Sequence, residues 1–322
     1  MAKYIAKRLG LMIVSFFIIM TICFTLIRLL PNPVPEVQGD YAEATRQMRE
    51  AWGYNKPIMV QYGIFLKNVL TEFNWGFCTT VGPYLNSVTS YLADKFPATI
   101  LVNSFAMVLS VPLGLMFGIY AALKKNKWQD QVISVVIMLF ISVPSYIYAF
   151  IVQYFLGFKL GWFPLVMKAG TDWLSPSMLH SIVLPVLALS FGTMAGLMRY
   201  TRAELTETLT SEYMLLARTK GLTRAQATFH HALRNSMVPI LPMIIGEFVA
   251  ILSGSFIIEQ IFAVPGIGKV LIAAISNRDY NLFITIAMFY VAITLVSSIL
   301  VDISYGFIDP RIRIGGGKDN ER

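Results

Sequence analysis

The sequence predicts an all-α membrane protein with six transmembrane helices. Its composition, the length of its apolar stretches and the placement of its charges lead to that fold class. Hydrophobic residues make up 56% of the 322 residues and charged residues only 14%, whereas soluble domains average roughly 45–50% and about 25%. A soluble chain of this size could not hide so much apolar surface, because much of its surface stays in contact with water. Lipid is therefore expected to surround most of the chain.

Six apolar stretches are long enough to cross a bilayer, which takes about 20 residues in a helix. They cover residues 9–30, 100–123, 132–158, 180–198, 237–258 and 282–303. Each is predicted to be a helix, because backbone groups in lipid must find hydrogen-bond partners within the segment. Pro144 is predicted to kink the third stretch. Gly114 and Gly118 in the second have the spacing of closely packed helices.

Basic residues predict the orientation of the chain. With the amino terminus inside, 16 of the 26 lysines and arginines fall on inner segments, and five of the other ten lie in one long outer segment. Long segments count for little in the rule that inner loops are basic. Both termini are therefore predicted to be cytoplasmic.

The spans divide the chain unevenly. Residues 1–30 contain the first helix, 31–97 form an extracytoplasmic segment, 98–306 a five-helix core, and 307–322 a cytoplasmic tail. Apolar residues at helical spacing over 42–52 and 56–73 indicate a helix lying along the outer interface. The core contains a long inner loop, residues 200–237, which is the most informative segment.

This inner loop is predicted to be structured. Residues 211–220 have the pattern of a short helix, and Gly221 stands where a helix stop is expected, because glycine adopts the left-handed conformation at little cost. Thr223 and Gln226 have the spacing of a capping box, which predicts a second helix running towards the fifth span. Two interpretations stay open: a protrusion that a soluble partner grips, or a helical linker lying on the headgroups.

The residues of this loop resemble a known family. Residues 212–222 read Glu-Tyr-Met-Leu-Leu-Ala-Arg-Thr-Lys-Gly-Leu, and residues 231–235 read His-Ala-Leu-Arg-Asn. The loop resembles the coupling loop of permease subunits in ATP-binding-cassette (ABC) importers, and is most similar to the oligopeptide, dipeptide and nickel branch. Only Ala217, Gly221 and Leu233 match the general importer pattern literally, whereas the two motifs of the peptide branch are both present.

Other parts of the chain resemble the same branch. They are Val-Pro-Gly-Ile-Gly at 264–268, Arg-Asp-Tyr at 278–280 and Asp-Pro-Arg-Ile-Arg at 309–313. One departure is Asn74-Trp75-Gly76, because the branch often has an aspartate before that glycine. The resemblance covers nearly the whole chain and implies the type I ABC importer permease fold, with a cytoplasmic coupling helix.

The resemblance also implies a division of labour. Such a permease pairs with a second homologous permease, two cytoplasmic ATP-binding subunits, and an extracytoplasmic peptide-binding protein or lipoprotein, in the cell membrane of a bacterium or archaeon. ATP and Mg are then expected on the partner subunits, with no cofactor, metal site, nucleic acid or catalytic residue on this chain. The implied cargo is a peptide. The alternatives are a nickel or metal-chelate permease of the same family, an ion-gradient-driven secondary transporter, or a membrane-anchored assembly protein.

Three groups of site residues follow from the resemblance and from the residues themselves. The ATPase-coupling group is Tyr213, Leu216, Ala217, Arg218, Lys220 and Gly221, in which Ala217 and Gly221 are expected to allow close approach of the partner and the two basic residues to make charged contacts. The pathway candidates are Glu247, Ser253 and Glu259, and the outer gate loop contains Pro265, Gly266, Gly268, Arg278 and Asp279.

The acidic and basic residues near the spans leave alternatives open. Glu247 lies well inside a predicted span, where a lone charge is costly, so it is expected to contact a peptide amine, line the pathway, or pair within the bundle or across a permease dimer. Glu259 is also open to a solvated or turn-stabilising role. Arg199 and Arg202 are expected to be snorkelling anchors or gating charges, and Asp302 to pair with one of them.

Several other site classes are excluded by spacing. The segment 266–269 lacks the Walker loop's first glycine and its Ser or Thr, since those positions are Ala263 and Val270. The three histidines do not cluster into a metal site. Cys23 lies in an apolar stretch, so a disulfide with Cys78 is not expected.

Overall fold

A computed structural model describes residues 2–30 and 41–308. In these two ranges the chain is helical and contains no strand, only an isolated bridge between Phe77 and Ser87, which confirms the all-α class. The motif predicted at 309–313, the tail beyond it, and residues 31–40 of the outer segment lie outside the described residues.

The fifteen α-helices of the described ranges follow one another with few long connections. They are α1 (Ala2–Arg28), α2 (Ala42–Ala51), α3 (Ile58–Glu72), α4 (Val88–Ala93), α5 (Phe96–Leu123), α6 (Trp128–Ser142), α7 (Ser145–Val152), α8 (Pro176–Ser181), α9 (Val183–Leu209), α10 (Glu212–Thr219), α11 (Arg224–Ala227), α12 (Arg234–Ala250), α13 (Phe256–Ile261), α14 (Ile267–Ser276) and α15 (Tyr280–Ile308). Two π-helical segments, Gln153–Lys159 and Thr228–Leu233, and one 3₁₀ turn, Ile251–Ser253, extend them.

Five continuous helical runs in this part of the chain are long and apolar enough to cross a membrane, and the pair α6 and α7 provides a sixth. The kink predicted at Pro144 is a break, since the two helices are bent by 104°. Proline has no backbone N–H to donate and disfavours helical backbone in the residue before it. Val143 is accordingly extended, at φ −96° and ψ 127°.

The packing of α5 on α9 shows that this broken pair crosses the membrane. Ser190 donates to the carbonyl of Ala106 at 3.2 Å, and further along both helices Gly118 faces Thr201. The contacting residues have increasing numbers in both helices along the same direction, so α5 and α9 run parallel. The chain between them must therefore cross back, which makes α6 and α7 one span and gives six spans in all.

Glycine permits the close contact of α5 and α9. A Cβ built on Gly114 would lie 2.8 Å from the Cβ of Leu197, and one on Gly118 would lie 2.7 Å from the Cβ of Thr201. The close packing predicted from the Gly-x-x-x-Gly spacing is confirmed. It brings the two parallel spans together along their length.

The first and last spans run antiparallel. Arg8 forms an ion pair with Asp302 at 3.0 Å, and Phe24 near the other end of α1 packs in one cluster with Met288. The predicted pairing of Asp302 with Arg199 or Arg202 is wrong. Arg202 binds Asp130 instead, with an Nη2–Oδ2 distance of 2.9 Å. The order of the spans along the sequence does not indicate which helices pack together, so this partner could not be predicted.

The outer segment contains the two predicted helices, α2 and α3. Helix α3 packs directly on α1, the first span. The Tyr62 and Thr21 hydroxyls are 2.6 Å apart, and the centroids of the Phe24 and Phe65 rings are 4.9 Å apart. The fifth span also differs from its prediction of 237–258, because its helix begins at Arg224 and ends at Ser253.

Candidate coupling segment and translocation face

We call residues 211–233 the coupling segment. Its first helix, α10, ends as the sequence predicts: Gly221 has φ +89°, its N–H donates to the carbonyl of Arg218 at 3.0 Å, and the N–H of Leu222 donates to that of Ala217 at 3.3 Å. These two bonds form the Schellman motif. The predicted capping box of Thr223 and Gln226 is also present and starts the next helix.

One face of the coupling segment packs inside the chain. Met214 and Ala217 belong to a buried cluster with Ala122 of α5 and Leu205 of α9. Ala217 is only 6% exposed, so its small side chain lets α10 lie close to the bundle. Ala217 thus packs against this chain's own helices, with Met214 on the same buried face, and close approach of a partner at Ala217 stays a prediction.

The other face is exposed and apolar. Leu215 and Leu216 are 65% and 55% exposed, and Tyr213 is exposed beside them. These residues lie on a short helix outside the long spans, where an exposed apolar patch marks a surface for a protein partner or for the membrane. Leu215 was not among the predicted coupling residues, although its apolar character next to Leu216 was a signal for it.

Positive charge surrounds this apolar patch. Arg218, Lys220, Arg224 and Arg234 are all exposed, and the ion pairs found between described residues include none of them. Gly221 is open as well, with no atom within 4 Å of a Cβ built on it. Within this chain Gly221 ends α10, and the space beside it is unfilled.

A single helical run joins the coupling segment to the bundle. It passes from Arg224 through the π-helical turn Thr228–Leu233 into α12 and ends at Ser253. The π turn was not predicted. Such turns are rare in proteins, and those that occur are often found at functional sites. The coupling segment and α12 thus belong to one continuous helical run.

Glu247 lies on α12 where two grooves meet. The first, of about 200 Å³, has mostly apolar walls that include the polar side chains of Asn103, Thr193 and Ser253. The second, of about 330 Å³, continues along α9 past Gly196 to Tyr200, and Glu247 lines both. We call this surface of α5, α9 and α12 the groove face.

The Glu247 carboxylate is exposed on the groove face. Its side chain has no hydrogen-bond or ion-pair partner among the residues that the structure describes. The structure thus gives no support to a pairing within this bundle. Of the predicted pathway candidates, Glu247 and Ser253 share the first groove.

Glu259 is placed differently from its prediction as a pathway residue. It is 2% exposed, accepts hydrogen bonds from the Thr99 hydroxyl at 2.9 Å and from the N–H of Lys269 at 2.9 Å, and lines neither of these two grooves. Burial raises the pKa of its carboxyl, and the hydrogen bonds from Lys269 and Thr99 oppose that rise. The turn-stabilising interpretation agrees with this geometry, and the solvated one is wrong.

The predicted gate glycines make room for this carboxylate. A Cβ on Gly266 would lie 2.4 Å from the Thr99 hydroxyl oxygen and 2.6 Å from the Glu259 carboxyl, and a Cβ on Gly268 would lie 2.7 Å from the backbone nitrogen of Phe256. The amino end of α14 thus receives an anion from its own chain, which complements the helix dipole. Pro265, half-buried, precedes this turn.

Asp279 anchors the outer segment. Its Oδ2 accepts from the N–H groups of Thr79, Thr80 and Val81 at 2.7, 2.9 and 3.1 Å, and its Oδ1 accepts from Leu282 at 3.3 Å at the start of α15. Asp279 is fully buried. These bonds fix the outer segment to the last span. The roles of Thr79, Thr80 and Thr99 were not predicted from the sequence, because their partners are 160 or more residues away.

We call the region of Glu259, Asp279 and their backbone donors the anchored end. Thr99 there and Ala122 at the coupling segment are both on α5, 23 residues and therefore roughly 35 Å apart at 1.5 Å per residue. The two regions lie at opposite ends of the bundle. Arg278, the remaining predicted gate residue, is exposed at the anchored end.

Two family models match the chain. The one described as binding-protein-dependent transport system inner membrane component matches residues 114–314, and its amino-terminal counterpart matches residues 1–111. Together they cover nearly the whole sequence, including the coupling segment and the anchored end.

Individual relatives are similar over the same length. The dipeptide transport system permease protein DppB of Bacillus subtilis is 35% identical, covering 98% of this chain and 99% of its own; that of Lactococcus lactis subsp. cremoris is 33% identical, over 98% and 100%. The oligopeptide transport system permease protein OppB of Salmonella typhimurium is 32% identical over 97% and 100%.

A solved structure shares the fold. It is the crystal structure of an amino acid ABC transporter with histidines, superposing with a TM-score of 0.51 at 20% identity and covering 68% of this chain and 94% of that one. At this identity the likeness supports the fold alone, and it agrees with a permease bundle.

Proposed function

Because the chain belongs to the family of binding-protein-dependent transport system inner membrane components and is a permease subunit of an ABC importer, we propose that it imports peptides. The observation that carries this proposal is similarity over nearly the full length to permeases named for dipeptide and oligopeptide transport. Such a permease is a multi-pass membrane component of a larger assembly and not an enzyme.

The assembly that we propose contains a second homologous permease, two ATP-binding subunits and an extracytoplasmic peptide-binding protein or lipoprotein. ATP and Mg are bound by the ATP-binding subunits, and this chain forms half of the pathway. ATP has a higher affinity for the closed ATPase dimer, and that difference in affinity drives the membrane subunits from one state to the other.

Docking of an ATP-binding subunit is assigned to the exposed face of the coupling segment. Tyr213, Leu215 and Leu216 provide apolar anchors, and Arg218 and Lys220 beside them carry positive charge for acidic groups on the partner. The continuous helix from Arg224 to Ser253 transmits the partner's movement to the groove face, where Glu247 lies.

The groove face is proposed to line the pathway. A carboxylate in a span is costly to leave unpaired, and a peptide entering the groove offers a cationic amino group to Glu247. The polar side chains of Asn103, Thr193 and Ser253 offer hydrogen bonds to the peptide backbone. Glu247→Gln is therefore expected to slow the uptake of peptides with a free amino terminus while the assembly stays intact.

The membrane is proposed to be the cell membrane of a bacterium or archaeon, with both termini cytoplasmic. The excess of basic residues on inner segments supports this orientation. The ion pair of Arg8 with Asp302 joins the beginning of the first span to the end of the last and supports the same side of the membrane for both. A thiol introduced at residue 124, in a Cys23→Ser, Cys78→Ser background, should react with an impermeant reagent only in inside-out vesicles. Reaction in right-side-out vesicles would reverse the orientation.

Co-purification from native membranes tests the assembly. The full chain should bring down two ATP-binding subunits and a second permease, and removal of the ATP-binding subunits should abolish uptake of a labelled dipeptide. Vanadate-sensitive uptake that survives an uncoupler agrees with this proposal. Uptake that needs an ion gradient and no ATPase would indicate a secondary transporter. Nickel uptake without peptide uptake would indicate a nickel permease of the same family.

A further inference from the structure

A groove opens at the anchored end of the bundle, between the end of α1 and the beginning of α15. It has a volume of about 440 Å³, and apolar or aromatic side chains form most of its walls, with Arg278 as the one charged residue among those that line it. The wall residues that matter below are Ile27, Leu30 and Phe283. Neither the coupling segment nor the groove face takes part in it.

The groove lies at a membrane boundary. The apolar run of the first span ends at Arg28, and that of the last begins at Tyr280, so the groove straddles the level at which hydrocarbon gives way to headgroups. At this level the ends of acyl chains meet the headgroups, so both apolar and charged parts of a lipid are within reach of the groove. Its apolar walls continue the surfaces of the two helices.

Arg278 has an unusual backbone conformation. The helix α14 ends in a Schellman motif, with the N–H of Asp279 donating to the carbonyl of Ala274 at 2.8 Å and that of Arg278 to the carbonyl of Ile275 at 3.2 Å. Arg278 occupies the left-handed position, at φ +58°, where glycine is the usual residue. A side chain in this conformation is strained, and such strain is concentrated at functional positions.

The guanidinium of Arg278 is exposed and has no ion-pair or hydrogen-bond partner among the described residues. Asp279, the neighbouring carboxylate, is already occupied by the backbone of the outer segment. The strained arginine therefore does not serve the fold of the described chain. Its charge is available at the mouth of an apolar groove.

We propose that this groove binds an anionic phospholipid, with an acyl chain along Ile27, Leu30 and Phe283 and the phosphate on Arg278. Only an amphiphile satisfies both features, since it fills apolar walls and supplies an anion at the membrane boundary. Arginine matches a phosphate with two parallel hydrogen bonds. A water-soluble acidic partner would complement the charge and leave the apolar walls uncovered. The proposal goes beyond peptide import and does not depend on it.

Lipid retention by the purified full chain, with any subunits that accompany it, tests this site. The protein is placed in bilayer discs of equal phosphatidylglycerol and phosphatidylcholine, and bound lipid is counted by native mass spectrometry. The wild type should retain phosphatidylglycerol, and Arg278→Gly should reduce its retention by about fivefold, the equivalent of one basic residue at an anionic surface. Glycine suits the left-handed position, so this variant should fold at least as well as the wild type.

Two comparison variants sharpen the result. Arg278→Lys keeps the charge and should retain more phosphatidylglycerol than Arg278→Gly, whereas Lys67→Gln, which removes an exposed charge from α3, should behave as the wild type. Equal retention by the wild type and Arg278→Gly would overturn the proposal, as would equal retention of the two lipids. Loss of a co-purifying binding protein with unchanged lipid would overturn it too and assign Arg278 to a protein partner.

Discussion

The two ends of the bundle are held together in different ways. At the anchored end, two buried carboxylates, Glu259 and Asp279, accept hydrogen bonds from backbone N–H groups, and glycines make room for one of them. At the coupling segment, backbone caps and a small alanine-rich cluster hold the helix, and every basic residue points outward. The anchored end satisfies its two carboxylates internally, whereas the coupling segment leaves its basic residues for a partner. Substitutions at the first should therefore affect folding, and at the second assembly.

The largest effect is expected from Asp279→Ala. It leaves three backbone N–H groups of the outer segment without an acceptor, at about 1–3 kcal/mol for each group that is buried. Thr79 is buried, whereas Thr80 is exposed and Val81 half-buried, so the free energy of unfolding should fall by about 3 kcal/mol. Cys78 is fully buried nearby, and burial, with help from Asp279, raises the pKa of its thiol to about 12, so it reacts only when this end opens.

Thiol labelling of Cys78 on heating, in a Cys23→Ser background, measures this effect. Asp172→Ala is the matched control, because Asp172 is exposed and its side chain binds no backbone N–H. Labelling of Asp279→Ala at the wild-type temperature would show that the anchored end does not depend on this carboxylate.

The next largest effect is a difference in stability between two glycine-to-alanine substitutions, one at each end of the bundle. Gly266→Ala forces a Cβ against Thr99 and Glu259 and should cost about 1–3 kcal/mol by overpacking. Gly221→Ala meets no atom and should cost only about 1 kcal/mol for its left-handed backbone.

Thermal unfolding and dipeptide uptake together test the pair. Gly221→Trp should insert and fold nearly as well as Gly221→Ala, yet lose uptake and peptide-stimulated ATP hydrolysis, because a bulky side chain there projects towards a partner. Normal uptake by Gly221→Trp would contradict docking at this surface.

Truncating the apolar patch of the coupling segment should weaken assembly without unfolding. Leu216→Ala removes an exposed side chain, and a buried anchor at an interface is worth about 1–2 kcal/mol, so retention of the ATP-binding subunits should fall about tenfold. Met214→Ala, on the buried face of the same helix, should instead lower the unfolding temperature. A Leu216→Ala variant that unfolds earlier and assembles normally would reverse the assignment of the two faces.

The smallest effect is a pH dependence at Glu259. Burial raises the pKa of this carboxyl above its ordinary value of 4.5, so the folded chain holds the proton more tightly than the unfolded one. The stability it contributes is complete below about pH 4.5 and declines as the pH rises through the raised pKa. Glu259→Gln should flatten this part of the stability curve, as measured by unfolding in detergent from pH 4 to 8; an unchanged slope would place the pH dependence elsewhere.

Local features of the site were predictable, whereas distant partners were not. The Gly221 stop, the Thr223 capping box and the Gly114–Gly118 packing depend on residues within one helix or one turn, and all three are confirmed. A turn-stabilising role for Glu259 was one of the open interpretations, but its partner Thr99 was not predicted, because it lies 160 residues earlier.

The faces of the short helices also required the structure. Apolar spacing could not separate Ala217, which is buried, from Leu216, which is exposed, since both have neighbours at helical intervals and both are apolar. Only the position of α5 and α9 decides which side of α10 is covered.

The sequence by itself determined that the chain is a membrane protein, that it crosses the membrane through helices, and where several of those helices end. These properties follow from apolar length and from backbone preferences, which act over a few residues. The tertiary structure decided that Pro144 breaks a span by 104°, that Arg202 pairs with Asp130 and Asp302 with Arg8, and which carboxylates are buried. Such pairings depend on how helices meet, and the free energy of a charge depends on what surrounds it more than on the residue that carries it.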